Sequence, residues 1–163
     1  MITVFGAATT NTRKVTIALE ELGLPYTPRR IAIDRAEQKE DWFLERAPNN
    51  KVPFIEDDAN GIDVWETGAI LIYLADHYDP DGQILPKTGK ARYAAIQSVF
   101  FQAAHIGPNL GRLNDQLTAP DDKKIPGMIA LFMAEAMRLT EVLDRMLNDG
   151  RPYLAGEYSI ADI

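Results

Sequence analysis

Apolar residues in the first half of the chain alternate between short strand-like runs and helical spacing. Residues 2–5 form a β-rich run, followed by small residues up to Thr10. A helix is predicted next, because its apolar residues recur every three or four positions. These residues are Val15, Ala18, Leu19 and Leu22. We expect Asn11 or Thr12 to cap the start of this helix and Gly23 to end it.

The segments that follow complete a β-α-β-α-β-β-α order. A second strand is predicted over residues 26–33, a short helix over 40–46 and a longer helix over 66–77. Between the helices, residues 52–55 and 62–65 are predicted to form a hairpin, because their connection ends in an Asn-Gly pair that tolerates positive φ. A helix crossing between the first two strands implies that they are parallel. We therefore expect an α/β domain with helices on both faces of a small mixed sheet.

The second half of the chain has the spacing of long helices. Residues 79–89 are rich in Pro, Gly and Asp, which indicates a linker between domains. Beyond it, residues 90–113 and 125–148 carry apolar positions at helical intervals, with a Pro-rich loop over 118–126 between them. We interpret these apolar stripes as the core of an all-α helical bundle.

Residues 159–162, SIAD, have the pattern of a helix-capping box. The Ser159 hydroxyl is expected to accept from the N–H near Asp162, and the aspartate to accept from the serine N–H. Tyr158 and Ile163 occupy the positions of a hydrophobic staple. These are the start signals of a helix that the sequence does not contain. We therefore expect the helical domain to be incomplete, as in a truncated chain.

Composition narrows the chemistry. The chain of 163 residues has a formal net charge of −7, and phosphate backbones attract basic surfaces, so nucleic acid is not expected as a partner. It has no cysteine, which excludes disulfides, thiolate metal sites and redox chemistry of a protein thiol. His77 and His105 are its two histidines, so a zinc site of the usual kind is not expected either.

Neither a membrane span nor a secretion signal is predicted. No apolar segment approaches the roughly 20 residues needed to cross a bilayer. The first residues lack the basic start and apolar stretch of a signal peptide. We therefore expect a cytoplasmic protein with no membrane partner.

Three motifs give the sequence its resemblance to a known family. They are NNKVP at residues 49–53, ETGAILIYL at 66–74 and SIAD at 159–162. In this order and spacing the chain resembles the glutathione transferases, and TTN at 9–11 makes it most similar to their bacterial nu-class-like branch. That branch tends to carry an arginine followed by an aromatic residue in the second long helix. Here a leucine precedes the aromatic, a departure that weakens any assignment of the branch's disulfide reductase activity.

The resemblance implies a two-domain architecture. Residues 1–78 are expected to form a thioredoxin-like glutathione-binding domain, residues 79–89 a linker, and residues 90–163 part of an all-α C-terminal domain. A homodimer is expected through the first long helix and the helix over residues 66–77. The residues expected around a hydrophobic electrophile or disulfide substrate are Phe100, Gln102 and Ala103.

Glutathione, the implied co-substrate, offers several groups for recognition. Glu66 is expected to pair with the ammonium of the γ-glutamyl end, and Thr67, at a helix N-terminus, to hold its carboxylate. With Pro53 in the cis form that the family carries, the backbone of Val52 is expected to pair with the peptide like a short strand.

The other two groups are the glycine carboxylate and the thiol. Lys51, and after it Gln38, are expected to bind the carboxylate. Lowering the pKa of the thiol by about two units corresponds to roughly 2.7 kcal/mol of thiolate stabilisation. The candidate donors are Thr9, Thr10 and Asn11, beside the positive end of the first helix. No metal is expected.

The sequence leaves two kinds of protein open. One is an enzyme that activates the glutathione thiolate and adds it to an electrophile or reduces a disulfide, with both exchanging sulfurs coming from glutathione or substrate. The other is a glutathione-binding domain without catalysis, in a regulatory role or as an inactive fragment. The second reading is favoured by the absence of Tyr or Ser at the thiol position and by the incomplete helical domain.

Overall fold

The computed structural model describes the whole chain, Met1–Ile163, as two compact units. One comprises Met1–Arg92 together with Ile163, and the other comprises Tyr93–Asp162. The first contains every strand of the protein, whereas the regular structure of the second is entirely helical.

A four-stranded mixed sheet forms the centre of the first unit. Its strands are β1 (Ile2–Gly6), β2 (Tyr26–Arg30), β3 (Phe54–Asp57) and β4 (Ile62–Trp65), in the order β2-β1-β3-β4. β1 and β2 are parallel, whereas β3 is antiparallel to both β1 and β4. Phe5 lies opposite Arg29 of β2 and Phe54 of β3, and Phe54 lies opposite Trp65 of β4. The predicted parallel pair and hairpin are confirmed.

Helices cover both faces of this sheet. They are α1 (Thr10–Glu21), α2 (Asp41–Leu44) and α3 (Thr67–Tyr78). Phe5 and Phe54 stack with ring centroids 4.2 Å apart and pack against Phe43 of α2 in a buried cluster. Val4 and Ile55 point to the opposite face, because successive side chains of a strand alternate. On that face α3 packs against the sheet and against α1.

Helix α1 begins earlier than predicted. Its N-cap is Thr9, whose Oγ1 accepts a hydrogen bond from the N–H of Thr12 at 3.2 Å, so the prediction of Asn11 or Thr12 as the cap is wrong. Thr9 takes this role because its backbone is extended, with φ −111° and ψ 158°. At the other end Gly23 has φ +62° and donates to the carbonyl of Glu20, so the predicted terminating glycine is confirmed.

Three other predicted boundaries are wrong by a few residues. β2 ends at Arg30 rather than at residue 33, because the chain turns into a 3₁₀ helix at Ile33–Arg35. The helix predicted over residues 40–46 shortens to α2, because the N–H of Arg46 donates to the carbonyl of Phe43 rather than to that of Trp42, which breaks the regular helical pattern. β3 begins at Phe54 rather than at residue 52, because Pro53 has no N–H to give to a ladder.

The segment predicted as a linker is packed into the first unit. The buried carboxylate of Asp79 accepts hydrogen bonds from the N–H groups of Gln83, Ile84 and Leu85. Ile84 and Leu85 are themselves fully buried. The aspartate thus closes this Pro- and Gly-rich segment into a turn, and the division between the units falls after Arg92.

Three long helices account for most of the helical part. They are α4 (Gly89–Phe101), α5 (Gly107–Thr118) and α6 (Pro126–Leu147). A π turn, Gln102–Ile106, joins α4 to α5 where the sequence predicted one regular helix. The Asn109 amide donates to the Phe132 carbonyl at 3.0 Å, which ties α5 to α6. No helix in the chain combines the length and the apolarity needed to cross a membrane.

The capping box at the end of the chain forms in part. Asp162 Oδ2 accepts from the Ser159 N–H at 3.0 Å, as predicted. The Ser159 hydroxyl, however, accepts from the N–H of Ala161 at 3.2 Å, because the Asp162 N–H donates to the Ser159 carbonyl instead. The second oxygen of Asp162 accepts from the N–H of Leu154, so these residues close a turn.

A buried carboxylate organises the end of the sheet where β1 begins. Asp57 accepts four hydrogen bonds, from the Tyr73 hydroxyl at 2.6 Å, the Asn60 amide at 2.9 Å, the Ala59 N–H at 3.0 Å and the Tyr78 hydroxyl. Burial by itself raises the pKa of Asp57, but these bonds outweigh it and hold that pKa below its ordinary value. The hydrogen bond to Asp57 raises the pKa of Tyr78 to about 12. This network fastens the β3–β4 loop to α3.

Candidate functional site

Four loops meet at the end of the sheet where β1 finishes. Because β1, β2 and β4 run in one direction and β3 runs against them, this end carries the loops after β1, β2 and β4 and the loop before β3. The residues expected to bind glutathione or its thiolate all lie here: Thr9, Thr10 and Asn11 after β1, Gln38 after β2, Lys51, Val52 and Pro53 before β3, and Glu66 and Thr67 after β4. Ligands of open α/β folds commonly bind beyond the carboxyl ends of strands.

The loop after β1 leads directly into the first turn of α1. Thr9 is half-buried, whereas Thr10 and Asn11 are exposed, and the Asn11 amide makes no hydrogen bond within the chain. Gly6 permits the close approach of helix and strand, since a Cβ there would lie 2.4 Å from Cγ2 of Thr12. The first N–H groups of a helix have no partner inside it and form its positive end. This loop therefore gathers hydroxyl, amide and backbone donors.

Glu66 joins β4 to α3 in an unusual backbone conformation. Its φ of +70° and ψ of 120° are rarely adopted by L-residues. The helix was predicted to begin at Glu66, but Glu66 precedes it and α3 begins at Thr67. Its side chain makes no capping bond, and its Oε1 instead accepts from Nδ2 of Asn49 at 3.2 Å. The N–H groups that begin α3 therefore have no side-chain partner, which leaves this helix end open to an anion.

The loop before β3 presents its backbone. The Val52–Pro53 peptide bond is cis, as the resemblance implied. Pro53 is buried, and Val52 packs against the aromatic cluster of the sheet. The N–H and C=O of Val52 form no hydrogen bond within the chain. Lys51 is exposed and makes no ion pair.

The loop after β2 carries Gln38 in a short 3₁₀ turn. The Oε1 atom of Gln38 is buried and has no hydrogen-bond partner. Its neighbour Glu37 accepts the N–H of Ala32 at 2.6 Å, which closes the loop, and also lies 3.9 Å from the guanidinium of Arg29. That guanidinium stacks over the ring of Trp42, 4.3 Å from its centroid. Glu37 thus links the loop after β2 to Ala32 at its start and to Arg29 of β2.

Comparison with known proteins decides the family. A family model described as the glutathione S-transferase N-terminal domain matches residues 1–76. Over 169 aligned residues the chain is 37% identical to the disulfide-bond oxidoreductase YfcG of Escherichia coli K12, covering 100% of this chain and 76% of that protein. The chain belongs to the glutathione transferase family.

Solved structures of glutathione transferases have the same fold. A homologue from Lodderomyces elongisporus with two glutathione molecules per subunit gives a TM-score of 0.91 at 33% identity, over 98% of this chain and 78% of that chain. A family member from Pseudomonas fluorescens Pf-5 with two glutathione molecules bound gives 0.90 at 38% identity, over 99% and 72%. The predicted thioredoxin-like sheet domain and helical C-terminal part are confirmed.

Two residues of the candidate site had no predicted role. Asn49 holds Glu66, and Glu37 closes the loop that carries Gln38. Asn49 was visible as part of a family motif, but its partner is 17 residues away and is set by the register of the hairpin. The role of Glu37 could not be predicted from the sequence, because the Ala32 N–H comes within reach of its carboxylate only when the loop has folded.

The residues expected around the second substrate belong to the helical unit. Phe100 is 62% exposed near the end of α4, and Gln102 and Ala103 lie in the π turn. No group of three or more His, Asp or Glu side chains anywhere in the chain is placed to hold a metal ion.

Proposed function

We propose that this transferase binds glutathione at the end of the sheet where β1 finishes and stabilises its thiolate for attack on an electrophile or a disulfide. The observation that carries the proposal is the open N-terminus of α3 beside Glu66. A positive helix end next to a carboxylate forms a pair of opposite charges. The ammonium and carboxylate of a γ-glutamyl group match that pair.

The γ-glutamyl group is held from both sides in this proposal. The Glu66 carboxylate pairs with the ammonium, and Asn49 restrains that carboxylate through its hydrogen bond. The carboxylate of the ligand accepts from the hydroxyl and N–H of Thr67, the first residue of α3. Each hydrogen bond to a charged group contributes about 1.5–3 kcal/mol.

The rest of the tripeptide meets the other two loops. The free N–H and C=O of Val52 pair with the cysteinyl backbone as a short antiparallel strand, next to the buried cis Pro53. Lys51 supplies the positive charge for the glycine carboxylate. Gln38 supplies an amide N–H from the loop after β2.

The thiolate lies at the first turn of α1. Its donors are the Thr9 hydroxyl, the Asn11 amide and the N–H groups at the helix start, with Thr10 beside them. A thiolate stabilisation of roughly 2.7 kcal/mol requires only one or two charge-assisted hydrogen bonds. This loop has them without a tyrosine or serine.

Disulfide reduction fits a chain that has no cysteine. The glutathione thiolate attacks one sulfur of the substrate, forms a mixed disulfide and releases the other sulfur as a thiolate. A second glutathione attacks the mixed disulfide and produces glutathione disulfide and the second reduced thiol. Two glutathiones are oxidised and one disulfide is reduced, with no protein sulfur involved. The two relatives holding two glutathione molecules support this reading.

The test combines binding with turnover. Glutathione is titrated calorimetrically into the 163-residue protein and into Glu66→Ala, and turnover is measured with a model aryl halide and with hydroxyethyl disulfide. We expect saturable binding that the substitution weakens roughly a hundredfold, and turnover with at least one substrate. Binding without turnover on either substrate would indicate the non-catalytic glutathione-binding alternative. A folded protein that binds no glutathione would contradict both.

We also propose that the chain forms a homodimer through α3 and the long helix that begins at α4. Tyr93, on α4, is 66% exposed and offers a large apolar surface for such contact. Light scattering on the wild type and on Tyr93→Glu tests this proposal. A wild-type mass of one chain at all concentrations would contradict it.

A further inference from the structure

Two threonine hydroxyls meet at the start of α1. Oγ1 of Thr9 accepts the N–H of Thr12 at 3.2 Å and lies 2.9 Å from Oγ1 of Thr12, a contact in which either hydroxyl could donate. A hydroxyl carries one proton and two lone pairs. If Thr12 donates, both lone pairs of Thr9 are filled from the helix side, and the Thr9 proton is left to point out of the helix.

The side chain of Thr12 is free to make this donation. Its hydroxyl has no other partner within the chain, whereas Thr16, one turn later, donates to the carbonyl of Arg13. A Cβ on Gly6 would lie 2.4 Å from Cγ2 and 2.9 Å from Oγ1 of Thr12, so the Thr12 side chain lies directly against the end of β1, where only a glycine leaves room for it. The opposite direction, from Thr9 to Thr12, would consume the Thr9 proton and leave the Thr12 proton unpaired.

We propose that Thr12 is a positioning residue, which donates its hydroxyl proton to Thr9 and thereby aims the Thr9 proton at the thiolate of bound glutathione. This inference rests on the proposed function, because it needs a thiolate at the first turn of α1. An anion there selects the Thr12-to-Thr9 direction, since hydrogen bonds to a charged acceptor are roughly twice as strong as neutral ones. From the sequence alone, Thr12 was expected only as a candidate cap.

The test removes the Thr12 hydroxyl and keeps its shape. Thr12→Val deletes the donor, Thr12→Ser restores it, and Thr16→Val deletes a hydroxyl on the same helix as a matched control. Ionisation of bound glutathione is followed by ultraviolet difference absorbance. It is also followed by the pH profile of kcat/KM for the second substrate, measured at saturating glutathione. Affinity for S-methylglutathione, which has no thiol, reports the remainder of the site. The charged side chains of the site end are unchanged in all variants: Arg13, Lys14, Arg29, Glu37, Lys51 and Glu66.

For Thr12→Val we expect ionisation of the bound thiol to move to higher pH, so that kcat/KM near about pH 6.5 falls about fivefold and recovers in alkali. S-methylglutathione should bind within about twofold of wild type, because no contact to the rest of the ligand is lost. Thr12→Ser and Thr16→Val should titrate like wild type. These results would support the proposal.

The proposal is overturned if Thr12→Val titrates like wild type, or if Thr12→Ser behaves like Thr12→Val. It is also overturned if Thr9→Val leaves the thiol titration unchanged, because Thr9 would then not touch the thiolate. A wild-type protein that fails to bind S-methylglutathione would instead mean that the proposed function itself fails. Thermal unfolding of each variant shows whether a change comes from the site or from α1.

Discussion

The two ends of the sheet use polar groups in opposite ways. Where β1 begins, the buried carboxylate of Asp57 is fully occupied by four donors from the hairpin loop and α3. Where β1 finishes, the backbone of Val52, the first N–H groups of α3 and Oε1 of Gln38 have no partner within the chain. Both ends belong to one compact unit, so they differ in whether their polar groups are paired within the chain and not in the domain to which they belong.

This contrast separates groups that maintain the fold from groups that await a ligand. A buried polar group without a partner costs about 1–3 kcal/mol, so a folded chain normally pairs it. The end built around Asp57 follows that rule. At the end around Glu66, Oε1 of Gln38 is buried without a partner, whereas the unpaired backbone groups of Val52 and of the first turn of α3 belong to residues that are only partly buried or exposed. A ligand with several polar groups can pair with these backbone groups.

The largest expected effect is at the open end. Glu66→Ala should weaken glutathione binding roughly a hundredfold, because the ammonium loses its charged partner. The free energy of unfolding should not fall, since this side chain holds no buried group. Calorimetry and urea denaturation measure the two quantities, with Glu45→Ala, another exposed glutamate, as the control. Equal losses of glutathione affinity in both variants would show that Glu66 has no specific role in binding.

The opposite result is expected at the closed end. Tyr73→Phe should lower the free energy of unfolding by about 1–3 kcal/mol, because Asp57 loses a donor in a buried setting. Glutathione affinity should stay within about twofold of wild type. Tyr153→Phe, at an exposed tyrosine without a side-chain hydrogen bond, is the control in urea denaturation. A loss of affinity larger than the loss of stability would show that the two ends are coupled.

The pH dependence of stability should follow the closed end. The pKa of Asp57 is lowered in the folded chain, so its stabilising contribution is present above its ordinary pKa and disappears as the pH falls through the folded value. The pKa of Tyr78 is raised to about 12, so its contribution is present below its ordinary pKa and disappears as the pH rises through about 12. Urea denaturation at acidic, neutral and alkaline pH measures both limbs. Tyr78→Phe should flatten the alkaline limb, and an unchanged limb would contradict this assignment.

The smallest effect is expected from the residue that restrains Glu66. Asn49→Ala should weaken glutathione binding about fivefold, which is less than the full contribution of a hydrogen bond to a charged group, because Asn49 orients Glu66 and does not itself contact the ligand. Asn49→Asp should weaken it further, because two carboxylates would then face one another. Calorimetry of both variants measures this order. An Asn49→Ala loss as large as that of Glu66→Ala would mean that Asn49 contacts the ligand itself.

The sheet could be predicted because its signals are local. A helix between two strands imposes their parallel pairing, and Asn-Gly at the end of the hairpin loop supplies the one residue, Gly61, that needs positive φ. The cap of α1 could not be chosen locally, because Thr9, Asn11 and Thr12 are all good cap residues. Of the three, the folded chain places only Thr9 in the extended backbone conformation of a cap.

The site was predictable by residue type but not by contact. Family motifs pointed to Glu66 and Pro53, and the sheet topology brings their loops to one end. The hydrogen bond from Asn49 to Glu66 depends on the hairpin register, which no single segment encodes. The π turn between α4 and α5 was also unreadable, because the helical pattern continues through it.

The backbone of Glu66 sets stability against usefulness. At a φ of +70° glycine would fold with less strain, by about 1–3 kcal/mol, yet a glutamate is present. A search for more stable sequences would therefore be drawn to glycine at this position and would erase the carboxylate. Folding stability and ligand binding therefore favour different residues at this position. With glutamate here, the chain is somewhat less stable than its fold allows.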